Sequence, residues 1–180
     1  MKHVLFRARI VALTVAVALL AAVLVAPAPV AQAETVPSTS TATSWALSVY
    51  NLINKERAAH GLAPYKNYPA LITVAKNHNT YMARNNMLTH QCPGELSLGA
   101  RFTAAGYTPW KAIGENIGMS TAWSLSAALG VHTKMYNEIA PNDPHRRNIL
   151  NTTFGSVGVH ILIDVGHHRL WMTEDFGKKL

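Results

Sequence analysis

The sequence predicts an α+β fold in which helices come first and an antiparallel β-hairpin closes the chain. Three segments before residue 137 carry apolar residues at the three- and four-residue spacing of an amphipathic helix. Near the end, apolar residues alternate over 157–163, residues 164–168 form a turn, and residues 169–176 return as a second strand. This order indicates helices packed on one small antiparallel sheet.

The first 33 residues have the three parts of a Sec-type signal peptide. Residues 1–9 hold three basic side chains, residues 10–25 are an unbroken apolar run, and Ala31-Gln32-Ala33 is a small-x-small cleavage sequence. A retained membrane anchor is the alternative, but the run is shorter than the ~20 residues that usually span a bilayer. We therefore expect cleavage after Ala33, no membrane span in the mature chain, and a secreted, extracellular protein.

The mature chain is expected to be a short tether followed by one domain. Residues 34–43 (ETVPSTSTAT) are rich in Ser, Thr and Pro, which predicts a disordered linker. Residues 44–180 are enough for one domain with a hydrophobic core. The full chain has 16 Lys and Arg against 9 Asp and Glu, but three of the basic residues lie in the signal peptide and no basic run exceeds two residues. Nucleic acid is therefore not a predicted partner.

The first helix is predicted to begin at Ser44, a favoured N-cap residue, and to stop at Gly61. Its apolar face consists of Trp45, Val49, Leu52 and Ile53. The second helix opens at Tyr68-Pro69, because proline is favoured in a first turn. Its apolar stripe is Leu71, Val74, Ala75, His78, Tyr81 and Met82. The place of His78 within that stripe favours a hydrogen-bonded core histidine over a metal ligand.

The later elements are shorter. Residues 98–105 form a short helix that ends at Gly106. Residues 112–119 (AIGENIGM) have glycines on both sides of Glu115-Asn116, which indicates a short strand or a turn. A third long helix covers about 123–136, and a short helix at 145–150 follows the turn at 141–144.

Candidate chemistry lies in four polar residues at the ends of elements, since the common catalytic motifs are missing. His90 follows the second helix, Glu115 lies between glycines, Glu138 follows the third helix, and His145 opens the short helix. Two imidazoles and two carboxylates suit a divalent metal, zinc or magnesium, with the carboxylates binding the ion or orienting its water. Two alternatives remain open: Glu115 as an acceptor for backbone amides of its turn, and His145 as a helix cap or partner of Asp143.

Cys92 is the single cysteine and lies two residues after His90. One cysteine cannot form a disulfide within its own chain. A thiolate nucleophile needs a positioned base and a lowered pKa, and nothing else in the sequence points at Cys92. We expect a partly buried small residue in the loop, with an intermolecular disulfide as the alternative.

Five stretches resemble the CAP superfamily (cysteine-rich secretory proteins, antigen 5 and pathogenesis-related proteins; SCP domain) in its secreted bacterial form. They are LINKERAAHGL, HNTYMARNNMLTH, GYTPWKAIGENIG, PNDPHRRNILNTTFGSVGV and LWMTEDFG, in the family's order over about 45–177. The resemblance implies a single-domain α-β-α sandwich with a small antiparallel sheet and a large open cleft. It does not cover the family's cysteines, which are absent apart from Cys92.

The resemblance also implies where the cleft residues are. His90, Glu115 of the GEN motif and His145 of HRxNIL match the family's two histidines and first glutamate, and Glu138 falls where the second glutamate belongs. Asn116 is expected to support the GEN turn by hydrogen bonding. Residues 174–175 (Glu-Asp) stand where a glutamine is common, which implies a more acidic far wall of the cleft.

These observations predict a secreted, non-enzymatic binding module with a divalent metal in its cleft. The family's association with sterols and fatty acids implies an apolar or envelope-derived ligand. The alternative is a metal-assisted hydrolase of peptides or cell-wall material, with Glu115 or Glu138 as general base on metal-held water. A third alternative is a partner-contact protein with a vestigial cleft. No catalytic residue is assigned.

Overall fold

The structure is a computed structural model that describes residues 35–180, so the predicted signal peptide and its cleavage at Ala33 lie outside the described residues. In chain order the elements are α1 (Thr39–Ala59), β1 (Lys66–Asn67), α2 (Pro69–Asn85), α3 (Leu98–Ala104), β2 (Trp110–Ser120), α4 (Leu125–Tyr136), α5 (Pro144–Ile149), β3 (Ser156–Asp164) and β4 (Arg169–Lys179). Helices α2 and α3 cover one face of the sheet, and α1, α4 and α5 cover the other. The predicted α+β class and α-β-α sandwich are confirmed.

The sheet has the strand order β1-β3-β4-β2, which makes β2 an edge strand. The predicted hairpin of β3 and β4 is confirmed, and β2 pairs antiparallel with β4. The two-residue β1 runs parallel to β3, so the sheet is mixed rather than wholly antiparallel. The GEN segment, predicted as a short strand or turn, lies inside an eleven-residue strand, because β4 supplies a hydrogen-bonding partner along almost its whole length.

Helix α1 begins earlier than the sequence predicts. Ser38, not Ser44, is its N-cap, and the Ser38 hydroxyl accepts a hydrogen bond from the Thr41 amide at 3.1 Å. Ala42 is buried against the core, so the linker predicted for 34–43 is helical from Thr39 onward. The start of α2 at Tyr68-Pro69 is as predicted. None of the helices within residues 35–180 is long and apolar enough to cross a membrane.

Helix α2 lies directly against strand β3 at Gly158. A Cβ atom at that position would be 2.3 Å from the Ile72 nitrogen and 2.3 Å from the Leu71 carbonyl carbon. About two turns further along α2, the buried Asn79 bonds both inner strands: its Oδ1 accepts from Thr173 Oγ1 at 2.7 Å, and its Nδ2 donates to the His160 carbonyl at 2.9 Å. Close backbone contact at one end and these amide hydrogen bonds at the other fix α2 on the sheet.

We predict that Gly158→Ala destabilises the domain by about 1–3 kcal/mol or more, because the added methyl group meets backbone atoms that cannot rotate away. The matched control is Gly130→Ala in α4, because among the described residues no neighbouring atom lies within 4 Å of a Cβ atom at that position. That variant is expected to stabilise the helix by about 0.5–1 kcal/mol. Urea unfolding of both variants measures the difference. Equal stability of the two variants would contradict the packing of α2 on β3.

Candidate functional site

The candidate site lies on both faces of the edge strand β2. Consecutive side chains of a strand point to opposite faces of the sheet. Glu115 therefore points toward α2 and α3, and the next residue, Asn116, points toward α4 and α5. This alternation assigns His90 and His145 to opposite sides of the same strand.

The Glu115 carboxylate is buried between a histidine and an arginine. His90 Nδ1 lies 2.9 Å from Glu115 Oε1. Arg101 donates two hydrogen bonds to the same carboxylate, from Nη1 to Oε2 at 2.8 Å and from Nη2 to Oε1 at 3.2 Å. Arg101 Nη2 also donates to the His90 carbonyl at 3.0 Å. A forked arginine–carboxylate pair of this kind fixes both groups in one geometry. Glu115 therefore accepts from side chains rather than from backbone amides of a turn.

The hydrogen bond to Glu115 determines which nitrogen of His90 is free. Burial opposes ionisation of Glu115, but the His90 hydrogen bond, the nearby His78 and the charge of Arg101 outweigh it, so the Glu115 pKa lies below its ordinary value. An ionised carboxylate only accepts hydrogen bonds, so His90 Nδ1 must be the protonated nitrogen. The Nε2 atom of a neutral His90 then carries a lone pair, on a side chain that is 57% exposed.

His145 forms the second pair with Glu138. His145 Nδ1 lies 2.5 Å from Glu138 Oε1, and Glu138 Oε2 accepts from the His145 and Arg146 amides at 2.9 and 3.4 Å. Burial opposes ionisation of Glu138, but these bonds lower its pKa below the ordinary value. His145 Nδ1 is therefore the donor and Nε2 carries the lone pair, as in His90. The alternative partner Asp143 instead lies 3.2 Å from Arg147.

Asn116 connects the two sides of the site. Its Nδ2 donates to the His145 carbonyl at 3.2 Å and to Glu174 Oε2 at 3.0 Å, and its Oδ1 accepts from Asn148 Nδ2 at 2.9 Å. Asn148 Nδ2 also reaches the Glu115 carbonyl at 3.3 Å. The predicted role of Asn116 in a turn is replaced by a role in a strand, where it holds α5 against β2 and β4.

Next to Asn116 lies a buried ion triad that the sequence analysis did not predict. His132 Nδ1 lies 2.6 Å from Glu174 Oε1, and His132 Nε2 lies 2.8 Å from Glu56 Oε2. Burial disfavours the imidazolium, but the two carboxylates outweigh that cost and raise the His132 pKa to about 10. Each end of the ring donates to an acid. A histidine on the apolar face of α4 was the one sequence feature that could have indicated this triad. Its two acid partners come from residues 56 and 174, and only the fold brings them next to His132.

The expected acidic wall at 174–175 is not present. Glu174 is neutralised by His132, and Asp175 is wholly buried on the opposite face of β4, beside Glu115 in the neighbouring strand. Within residues 35–180, no N–H or O–H group donates to either oxygen of Asp175. Burial and the Glu115 carboxylate raise the Asp175 pKa well above its ordinary value, which favours the uncharged form of this acid.

The four predicted metal ligands lie as two separate His–Glu pairs. Across residues 35–180, the group of three that places ligand atoms within 4.8 Å of one another is a different one: His78, Cys92 and Glu95. The structure thus brings His90 to Glu115 and His145 to Glu138, and it does not bring three of these four side chains to one point.

His78 and Cys92 both lie inside the domain. His78 is fully buried, and its Nδ1 is 2.8 Å from Glu95 Oε1, as expected for a hydrogen-bonded core histidine. Cys92 is 2% exposed, and burial with the Glu95 carboxylate raises its pKa. A buried neutral thiol is not an activated nucleophile. An intermolecular disulfide through Cys92 would first require its segment to move away from the core.

The fold and the two His–Glu pairs define a class: a three-layer domain with histidines on both sides of an edge strand. The sequence profile of the cysteine-rich secretory protein family, CAP, matches residues 50–174, which is more than half of the chain. The chain therefore belongs to the CAP family. A comparison with curated protein sequences gives no match.

Solved structures share the fold at low sequence identity. An extracellular protein containing an SCP domain from Bacillus anthracis is 23% identical with a TM-score of 0.66, over 78% of this chain and 43% of that one. An outer surface protein from Borrelia burgdorferi is 18% identical with a TM-score of 0.64, over 76% of this chain and 94% of that one. NaASP2, solved with Zn²⁺, is 13% identical with a TM-score of 0.52, over 77% of this chain and 80% of that one. This chain spans less than half of the Bacillus protein's length.

The His132 triad predicts a pH-dependent stability. Because the folded pKa of about 10 exceeds the ordinary 6.5, the charged triad stabilises the fold fully below about pH 6.5, and this contribution is lost as the pH rises through about 10. Urea unfolding between pH 6 and 10 should show this decline in the wild type and a flatter profile in His132→Gln. Glu174→Gln should also destabilise the domain at pH 7, since it leaves the buried imidazolium of His132 with Glu56 as its one charged partner in the triad.

The control for this prediction is His167→Ala. His167 also bonds a carboxylate, Asp164, but its side chain is 42% exposed. It should keep the wild-type pH profile. An identical decline in the wild type and His132→Gln would show that His132 does not carry the effect.

Proposed function

We propose that this chain is an exported CAP domain that acts as a binding module. A divalent cation is held across the outer edge of β2 by the Nε2 atoms of His90 and His145, which approach that edge from opposite faces. The observation that carries this proposal is the shared hydrogen-bonding pattern of the two histidines. Each donates Nδ1–H to an ionised glutamate and keeps Nε2 available on a solvent-accessible side chain. The described locations of the Bacillus and Borrelia relatives support export.

The donor chemistry fits a metal with histidine ligands. Metal-binding histidines commonly donate their other ring N–H to a carboxylate, which fixes the tautomer and the ring orientation. Both oxygens of Glu115 and both oxygens of Glu138 already accept hydrogen bonds, so these carboxylates orient the histidines rather than bind the ion. Imidazole ligands favour zinc over magnesium. The presence of Zn²⁺ in NaASP2 agrees with that preference.

The same contacts make hydrolysis a less well supported function than binding. When bound, a zinc ion would supply a Lewis acid and an activated water. A general base for that water needs an accessible carboxylate with a pKa near the working pH. Glu115 is buried under Arg101, both glutamates have lowered pKa values, and their oxygens already accept hydrogen bonds. Binding is therefore the better supported activity.

An apolar ligand is best accommodated by a groove between α1 and α2. Two adjoining cavities of about 220 and 280 Å³ lie over β3 and share His160 and Ile161. The second cavity is lined by Ala46, Leu47, Ile72 and Val159 among others, and Leu47 is 51% exposed. A narrow apolar groove of this size fits an acyl chain. It lies over β3, whereas the histidine pairs flank β2.

For the metal, we predict that His90 and His145 bind about one equivalent of Zn²⁺ and that His90→Ala/His145→Ala, which then holds one equivalent fewer than the wild type, loses this binding. Glu138→Gln should weaken it by about 10–100-fold, since an orienting acceptor is replaced. Metal content after dialysis and calorimetric titration measure both effects. His167→Ala is the matched control. Equal zinc content in the wild type and the double variant would overturn the site.

For the apolar ligand, we predict that Leu47→Glu reduces binding of a fluorescent fatty acid about tenfold or more, because the new charge must be desolvated in the groove. The control is Leu125→Glu, which replaces a leucine of similar exposure in the first turn of α4. Fluorescence titration with intact protein compares the two. Wild-type binding no better than that of an unrelated secreted protein would exclude a lipid-binding role.

A further inference from the structure

A second group of potential ligands lies on the α2 and α3 side of the sheet. His78 comes from α2, and Cys92 and Glu95 come from the segment that follows it; each offers one ligand atom, and these atoms lie within 4.8 Å of one another. All three side chains are buried, with His78 at 0%, Cys92 at 2% and the Glu95 side chain at 1% exposure. An imidazole, a thiol and a carboxylate together form a typical donor set for zinc.

The surroundings carry more buried acid than base. The carboxyl groups of Glu95, Glu115 and Asp175 share this region with one arginine, Arg101, which lies 3.5 Å from Glu95 and 2.8 Å from Glu115. Among residues 35–180, His78 Nε2 has no hydrogen-bond partner, and Glu115 Oε1 lies 3.8 Å from it. Glu95 and Glu115 share one arginine, and a bound cation would offset part of the cost of burying their charges.

The group lies next to a cavity. The cavity has a volume of about 340 Å³ and is lined by Glu95, Arg101, Tyr81 and Arg84 among others. Of the three proposed ligands, Glu95 is the one that lines it, so this side of the group is the nearest to a space that an ion could enter. The histidines of the proposed function do not line this cavity.

We propose that His78, Cys92 and Glu95 form a second, structural zinc site that fastens the segment after α2 to the core. Binding displaces the thiol proton of Cys92 to solvent and moves the ring proton of His78 from Nδ1 to Nε2. It replaces the present hydrogen bond between His78 Nδ1 and Glu95 with bonds from both to the ion. The chain is exported and has one cysteine, so it cannot fasten this segment with a disulfide of its own. The site shares no ligand with the pair His90 and His145 and does not depend on it.

Cobalt substitution tests this proposal, because a thiolate bound to Co²⁺ gives a near-ultraviolet charge-transfer band that imidazole ligands do not give. The metal-free chain is titrated with Co²⁺ under a non-thiol reductant. We expect the band, together with tetrahedral d–d absorption, in the wild type and in His90→Ala/His145→Ala. Cys92→Ser should abolish the band. Glu95→Gln should lower the Co²⁺ affinity of the band about tenfold or more.

Thermal unfolding with and without Zn²⁺ gives a second readout that separates a folding defect from a lost site. Zn²⁺ should raise the Tm of His90→Ala/His145→Ala. It should not raise the Tm of the triple variant His90→Ala/His145→Ala/Cys92→Ser, provided that this variant folds. Absence of the charge-transfer band at saturating Co²⁺ would overturn the proposal. Persistence of that band in Cys92→Ser would overturn it as well. Neither result would bear on the zinc bound by His90 and His145.

Discussion

The candidate site depends on one buried interaction, the forked ion pair of Arg101 with Glu115. Without Arg101, the Glu115 carboxylate would be a buried charge next to the carboxyl group of Asp175, and burial would favour its protonation. With Arg101, it remains ionised and accepts from His90, which selects the tautomer of that ring. Arg101 also bonds the His90 carbonyl, so the same side chain fixes both the charge and the loop.

On the opposite side of β2, different residues likewise keep a glutamate ionised and orient a histidine. Glu138 is kept ionised by donors from His145 and the following amide, and Asn116 holds the His145 backbone to the sheet. Asn116 is itself fixed by Glu174, whose charge is balanced by His132. Glu138 and Glu174 thus each have a cationic or N–H partner, and each of the two histidines that reach solvent is oriented by a glutamate facing its Nδ1. Such a pre-oriented pair suits binding better than proton transfer, which needs a base that is free to exchange protons.

Predictions from the sequence are correct where the signal is local. Proline in the first turn of α2, the alternation along β3 and the place of His78 in an apolar stripe each follow from neighbouring residues, and all three are confirmed. Predictions from the sequence fail where a partner that is distant in the chain decides the secondary structure of a segment. The GEN segment is a full strand because β4 lies beside it, and residues 39–43 are helical because Ala42 docks on a core assembled from remote elements.

The sequence by itself determined the class of fold and the order of its elements, and motifs kept in a fixed order made His90, Glu115, Glu138 and His145 the candidate site residues. Only the tertiary structure decided how those residues are used. It paired each histidine with one glutamate on opposite faces of β2, placed Arg101 on Glu115, and buried Asp175 instead of leaving it in an open wall. The reason is electrostatic: the charge of a buried carboxyl group depends on partners from other elements of the chain, and no local pattern records which partners those are.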